Sequence, residues 1–336
     1  MRETMGEFLV EVADDKLWRG LAEIGALGLV VPEHLGGEGA GLVELGLVAQ
    51  TSASILRSTP LVPSAVLATL LLTELDGERV DELLRDLASG ERTATAPWSL
   101  VGAPQSTALP TLTGNRLSGT LRNVPWVETP AVVLCVTADG SLVCLDTSES
   151  GVSIETLNPF DETEPLADVT LDDVVGLVVV DPDEAATIID TVCARVQAVV
   201  AMELVGVGRG ILDMAVEYAK VRTQFGRAIG SFQAIKHMLA EVHLALEPAS
   251  ALAHLACTEL DTGAPTGPMT ARLALASANR AARVAALNAM QSFGGIGYTW
   301  EHGSHRYLRR VLARNAQLGS QDDQLRGIAD AVLPAS

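Results

Sequence analysis

The longest unbroken helical pattern in this chain runs from Ala185 to Tyr218 and is apolar on more than one side. A helix keeps such a surface only when neighbouring helices cover it, so the C-terminal half of the chain has to fold as a bundle. Pro182-Asp183 opens the pattern, with Asp183 able to cap and Glu184 favouring the first turn. Further helices are expected from Phe232 to Leu260 with a kink at Pro248, from Pro268 to Phe293, and around Tyr307 to Gln317.

The join between the first two helices reads Tyr218-Ala-Lys220-Val-Arg222-Thr-Gln224-Phe225-Gly226-Arg227-Ala-Ile-Gly230-Ser231-Phe232-Gln233-Ala-Ile-Lys236-His237. Lys220, Val221 and Arg222 close one helix, Gly226 breaks the pattern, and Ser231 offers an N-cap hydroxyl before Phe232 restarts it. Residues 221–240 carry Arg222, Arg227 and Lys236 and no acid, in a chain of formal net charge −19. Such an island can hold an anion, helped by the following helix N-terminus. Basic residues closing a helix can equally serve only to complement its dipole.

Elsewhere the chain changes texture twice. Up to about residue 90 apolar residues recur at helical spacing, as in Leu17, Trp18, Leu21 and Ile24, with a loop at Pro32 to Gly39. From about 91 to Val180 short apolar runs alternate with turn residues: Thr107 to Leu112, Leu117 to Leu121, Val132 to Val136, Leu142 to Leu145 and Val152 to Leu157. Asp139-Gly140 marks a hairpin between two of them. An excess of 42 acids over 23 bases excludes a nucleic-acid or anionic-membrane partner, since both need a concentrated basic face. The most apolar run, Leu61 to Leu75, is shorter than the ~20 residues that span a bilayer. Cys135, Cys144, Cys193 and Cys257 have no metal-ligand spacing and sit in apolar surroundings, which predicts buried, reduced thiols and a cytoplasmic protein.

Arg222-Thr-Gln224-Phe225-Gly226-Arg227, continued by Gly230-Ser231-Phe232-Gln233, is one of two strings that resemble the acyl-CoA dehydrogenases. The other is Gln291-Ser-Phe293-Gly294-Gly295-Ile-Gly297-Tyr298-Thr-Trp300-Glu301-His302 with Tyr307-Leu308-Arg309-Arg310. The resemblance covers residues 184–320 well and 1–183 less closely. It implies an α+β fold in three parts: an N-terminal helical domain at 1–90, a middle β domain at 91–182 and a C-terminal helical bundle at 183–336. It also implies FAD shared across a subunit interface, with Arg222 and Gln224 at its pyrophosphate and adenosine, Phe225 packed nearby, and Gln291, Gly294 and Gly295 lining the same anion. The chemistry suits the residues, because a guanidinium gives paired donors to phosphate and glycines let backbone amides approach a diphosphate. For Gly294-Gly295-Ile-Gly297 a plain helix terminator stays open as the other reading.

The family removes the α proton of an acyl-CoA thioester with a carboxylate while hydride leaves the β carbon for the flavin. At the two positions where its branches carry that base, this chain has Leu318, in Gln317-Leu318-Gly319-Ser320, and Val196, followed by Gln197. The strings that line the flavin ring are also altered, to Thr95-Ala96-Pro97-Trp98-Ser99 and Asn123-Val124-Pro125. This combination resembles the incomplete subunit of the actinobacterial α2β2 acyl-CoA dehydrogenases that act on steroid-CoA thioesters. That resemblance implies a homologous catalytic partner, an acyl-CoA substrate and an electron-transfer flavoprotein.

Two other readings stay open. One is an active homo-oligomer with a displaced base drawn from Glu203, Glu241, Glu247 and Glu301, although Glu203 could pair with Arg209 and Glu301 with Arg309 or Arg310. The other is a flavin-free structural or regulatory module. A metal site at His302 and His305 would lack further ligands at suitable spacing.

Overall fold

A computed structural model of the protein describes residues 6, 8, 9, 11–102, 108–127 and 129–333, and for Asp14 and Asp15 the backbone only. Its contacts divide the chain into two compact units. One comprises Glu11–Leu45 and Ser58–Val196, the other Met1–Val10, Gly46–Arg57 and Gln197–Ser336.

The first unit opens with helix α1 (Asp14–Glu23) and the start of α2 (Leu42–Ser54). Next come a π-helical segment, Leu61–Ala68, that runs into α3 (Thr69–Leu72), and then α4 (Glu78–Ser89). Within the apolar run Leu61 to Leu75 the helical backbone thus begins at Leu61 itself. Pro63 fits there because the first N–H groups of a helix have no intrahelical partner to lose. Eight strands follow: β1 (Ala94–Thr95), β2 (Thr111–Thr113), β3 (Arg116–Pro125), β4 (Val132–Val136), β5 (Leu142–Asp146), β6 (Val152–Thr156), β7 (Leu166–Val175) and β8 (Val178–Val180).

These strands form two sheets, ordered β1-β4-β5-β8 and β2-β3-β7-β6. Inward residues Leu117, Leu121 and Val124 of β3 and Val169 and Leu171 of β7 pack with Val133, Cys135, Val143 and Leu145 of β4 and β5. The Asp139-Gly140 hairpin forms as expected: Val136 pairs with Leu142, and the Asp139 carboxylate accepts from the Thr137 hydroxyl and the Ser141 amide. Thr107, where the first run was placed, lies outside the described residues.

The second unit is the bundle: α5 (Pro182–Val221) from Gln197 onward, α6 (Gln233–Asp261), α7 (Gly267–Phe293), α8 (Ser304–Gln317) and α9 (Gln321–Val332), with the C-terminal part of α2. Pro182 is itself the first residue of α5, so Asp183 lies inside the first turn and is not the cap. Helix α6 runs through Pro248. The reading along the chain passed over α9, although Ser320-Gln-Asp-Asp323 is a capping box: the Asp323 amide donates to the Ser320 hydroxyl (3.2 Å), and the Ser320 amide donates to the Asp323 carboxylate (2.9 Å).

Helices α2 and α5 meet at Gly206 and Gly210, where a Cβ would fall on the carbonyl oxygens of Gln50 and Ser54. Gly210→Ala is therefore expected to cost about 1–3 kcal/mol, the usual range for overfilling a packed core. Urea denaturation checks this, and an unchanged midpoint would mean that α2 yields freely.

Of the cysteines, none in a disulfide, Cys135, Cys144 and Cys257 are buried and Cys193 is only half-buried, its thiol donating to the Val101 carbonyl. Burial pushes the Cys135 and Cys144 thiols up to about 12. Among the described residues no helix is long and apolar enough to cross a membrane.

Candidate functional site

Helix α5 closes with the Arg222 amide donating to the Tyr218 carbonyl (2.9 Å), and the chain then turns sharply in a miniature hairpin. Strands β9 (Thr223–Gln224) and β10 (Arg227–Ala228) pair Gln224 with Arg227 and Thr223 with Ala228. The two turn residues between them, Phe225 (φ 52°) and Gly226 (φ 76°), are both left-handed, as a type I′ turn requires. Gly226 is thus the second turn residue and not the helix breaker. A left-handed phenylalanine costs about 1–2 kcal/mol. Its ring is nevertheless 91% exposed, touching Phe232 edge-on at 6.1 Å. The Arg227 guanidinium lies 4.1 Å from the Phe232 ring centre. Ser231 does not cap α6: its hydroxyl donates to the Ala228 carbonyl, and Phe232 occupies the cap position.

Helix α7 ends at Phe293, and each glycine beyond it has a different setting. Gly294 (φ 65°, ψ −144°) takes a conformation only glycine adopts readily. A Cβ on buried Gly297 would press on Phe293, and its carbonyl accepts from the Ser304 hydroxyl (2.9 Å). Gly295 has an ordinary φ and open space where a side chain would stand. Helix termination therefore explains Gly294 and packing explains Gly297, while nothing among the described residues calls for glycine at 295.

A ring cluster brings the two strings to one end of the bundle. Tyr218, one turn before Arg222, meets Phe293 edge-on at 5.3 Å, and His302 contacts both, at 6.0 Å and 4.2 Å. Arg222, Gln224, Phe225, Gln291, Gly294 and Gly295 are all exposed at this end. Among the described residues the Arg222 side chain has neither a hydrogen bond nor an ion pair, and no carboxylate pairs with Arg227 or Lys236. Tyr218, Phe293 and His302 stand within the two strings, but nothing in the sequence marks this role. Contact between the two strings is what reveals it.

The four candidate bases have distinct surroundings. Glu203 is buried and pairs with Arg310 (2.8 Å) and Arg314 (2.8 and 2.9 Å) on α8, not with Arg209. Burial alone would push its carboxyl up, but the Arg314 and Arg310 charges prevail and hold it low. Arg209 instead reaches Gln50, Glu247 and Ser250, so Glu247 is itself paired. Glu241 and Glu301 are exposed. Hydrogen bonds from its own backbone and from Thr299 hold Glu301 low, Arg310 is committed to Glu203, and the Arg309 guanidinium stacks over Trp300. His302 and His305 fall on separate elements, the turn Trp300–His302 and α8. Val196 and Leu318 are buried.

In the other unit, the two altered strings are tied together: the Thr95 hydroxyl donates to the Pro125 carbonyl (2.6 Å). Trp98 is buried, its indole N–H donating to the Glu164 carboxylate (3.1 Å).

Residues 191–333 match the acyl-CoA dehydrogenase C-terminal domain, and residues 4–91 match the N-terminal domain of the same family. The chain is 31% identical to acyl-CoA dehydrogenase IpdE2 of Mycobacterium tuberculosis, over 95% of its own length and 87% of that protein's. It belongs to the acyl-CoA dehydrogenase family. Its order of N-terminal helices, middle sheets and C-terminal helices is the acyl-CoA dehydrogenase fold. It is also 34% identical, over 96% of its length, to acyl-CoA dehydrogenase FadE34 of the same organism, of whose length it spans 43%. Among solved acyl-CoA dehydrogenase structures, a variant of the Tcur3481–Tcur3483 steroid ACAD superposes with a TM-score of 0.82 at 25% identity, covering 99% of this chain and 92% of that one.

Proposed function

We propose that this chain is the base-lacking subunit of an FAD-dependent acyl-CoA dehydrogenase, supplying the nucleotide-binding edge for flavin held mainly by a homologous catalytic partner. The reaction is α,β-dehydrogenation of an acyl-CoA thioester, and the two-component steroid ACAD among its structural neighbours favours a steroid-derived acyl group. An electron-transfer flavoprotein would take the electrons, and four free thiols suit the cytoplasm.

The observation that carries this reading is an exposed edge on which Arg222, the Phe225 ring and Gly295 stand available to a ligand. Among the described residues Arg222 pairs with no acid, Phe225 is an exposed ring held at a left-handed position, and Gly295 leaves open space where a side chain would stand. These features fit a dinucleotide's diphosphate: Arg222 gives paired donors, Gly294 and Gly295 admit backbone approach, and Gln224 and Gln291 offer amides to the adenosine. The flavin, when bound, accepts hydride from the substrate's β carbon. The rest of this chain's part is to bind and orient. Of the four candidate bases, Glu203 is buried against two arginines, Glu247 is paired with Arg209, and Glu241 and Glu301 are exposed, so none stands unpaired in an apolar setting. The active homo-oligomer is therefore the weaker reading.

Bound flavin, counted by visible absorbance in the protein purified alone and after co-expression with its homologous partner, tests the proposal. Little flavin alone and about one per heterodimer is the expected result. Near one per chain in the protein alone would overturn it.

A further inference from the structure

His302 packs on both rings at the base of the edge, Tyr218 of one arm and Phe293 of the other, which also touch each other. Its imidazole lies 4.2 Å from the Phe293 ring, tilted by 53°, and 6.0 Å from Tyr218, nearly perpendicular at 84°. Tyr218 belongs to the last turn of α5, Phe293 is the last residue of α7, and His302 arrives from the turn before α8. The segment carrying it is seated by Gly297 against Phe293 and by the Ser304 hydroxyl on the Gly297 carbonyl. Geometry alone would be served by a phenylalanine. Yet among the described residues the buried Nδ1 of His302 has no hydrogen-bond partner, a cost a hydrocarbon ring would not carry.

We propose that neutral His302 is a positioning residue, the wedge that sets the separation between the arm bearing Arg222 and the arm bearing Gly294 and Gly295. The inference rests on the nucleotide-edge reading above and adds to it a pH dependence. Burial depresses the imidazole's pKa below its ordinary 6.5. The charged groups on the turns around it are Glu217 and Lys220 at the end of α5, Arg222 just beyond it, Glu301 beside it, and His305, Arg306 and Arg309 in the first turns of α8, while the last turn of α7 has none. Because the closed cluster takes up a proton less readily than an opened one, its stability falls as the pH drops below about 6.5. The two arms then separate together.

The test uses the co-expressed assembly, with FAD retention and amide hydrogen exchange as independent readouts. His302→Ala is expected to weaken FAD retention about tenfold, the scale of one lost aromatic contact, and to speed exchange in residues 218–228 and 289–297 together. His302→Phe should restore both at pH 7.5. Wild type should lose FAD between pH 7.5 and 5.5, and His302→Phe should hold it, a difference a purely structural ring would not produce. An assembly that binds FAD equally well with alanine at 302, or that shows the same pH profile with phenylalanine, overturns the wedge. A wild-type assembly with no FAD at any pH overturns the edge itself, and faster exchange in only one arm overturns the wedge whether or not FAD binds.

Discussion

Replacing Glu203 by glutamine is expected to remove about 3–5 kcal/mol of stability, the cost of leaving buried charge without its partner. Glu203 lies on α5, 1% exposed, and faces Arg310 and Arg314 one turn apart on α8. Glutamine keeps the shape but strands two guanidinium groups, one of them 1% exposed, in the bundle interior. The measurement is a urea titration followed by circular dichroism, and a change below about 1 kcal/mol would mean that water reaches the triad. Replacing all three residues by apolar ones should cost less than the single substitution, because no charge is then left behind. The pH dependence follows from the same pair of guanidinium groups. Since they hold the folded-state pKa of Glu203 below its ordinary 4.5, its contribution is intact above that pH and is lost as the pH falls through the folded value.

Arg222→Gln should have the opposite signature, a large loss of ligand with almost none of stability. The side chain is exposed and unpaired, so the thermal midpoint should stay within about a degree, as for surface changes that touch nothing. A charged hydrogen bond to phosphate is worth about 1.5–3 kcal/mol, so flavin should dissociate about 10- to 150-fold more readily from the assembly. Fluorescence of released flavin on dilution measures this. Unaltered retention would assign Arg222 to the helix dipole, the plain reading of a basic residue at a helix end. Gly295→Val separates these cases further, since it fills only open space in this chain and would act solely on what approaches from outside.

Helix positions were legible because burial on several faces leaves its mark along α5, and the Asp139-Gly140 hairpin because its turn residues are the ones that geometry needs. Partners across the bundle were not. Glu203 and Arg209 stand six residues apart on one helix, about 240° around its axis, so they cannot meet. The residues that do reach Glu203 lie more than a hundred positions away, four apart on one face of α8. The hairpin at Phe225 was hidden because its signal is Asn-Gly or Asp-Gly, and phenylalanine stands where asparagine would. Strand β7 alternates Ala167, Val169 and Leu171 inward with Asp168, Thr170 and Asp172, a pattern available in the sequence but masked by its many acids. Of the glycine cluster, termination accounts for Gly294 and packing for Gly297, whereas neither accounts for Gly295, the position we propose for the ligand.

All six edge residues lie between 222 and 295, on the helical unit, and the ring cluster that gathers them draws on no strand of the two sheets. Selection on the edge therefore reaches the eight strands only through the overall foldedness of the chain. On the proposed reading, the ring-lining strings are free to drift while the helices are kept for what they offer a partner. A partner that borrows this edge would in turn be under no pressure to keep its own.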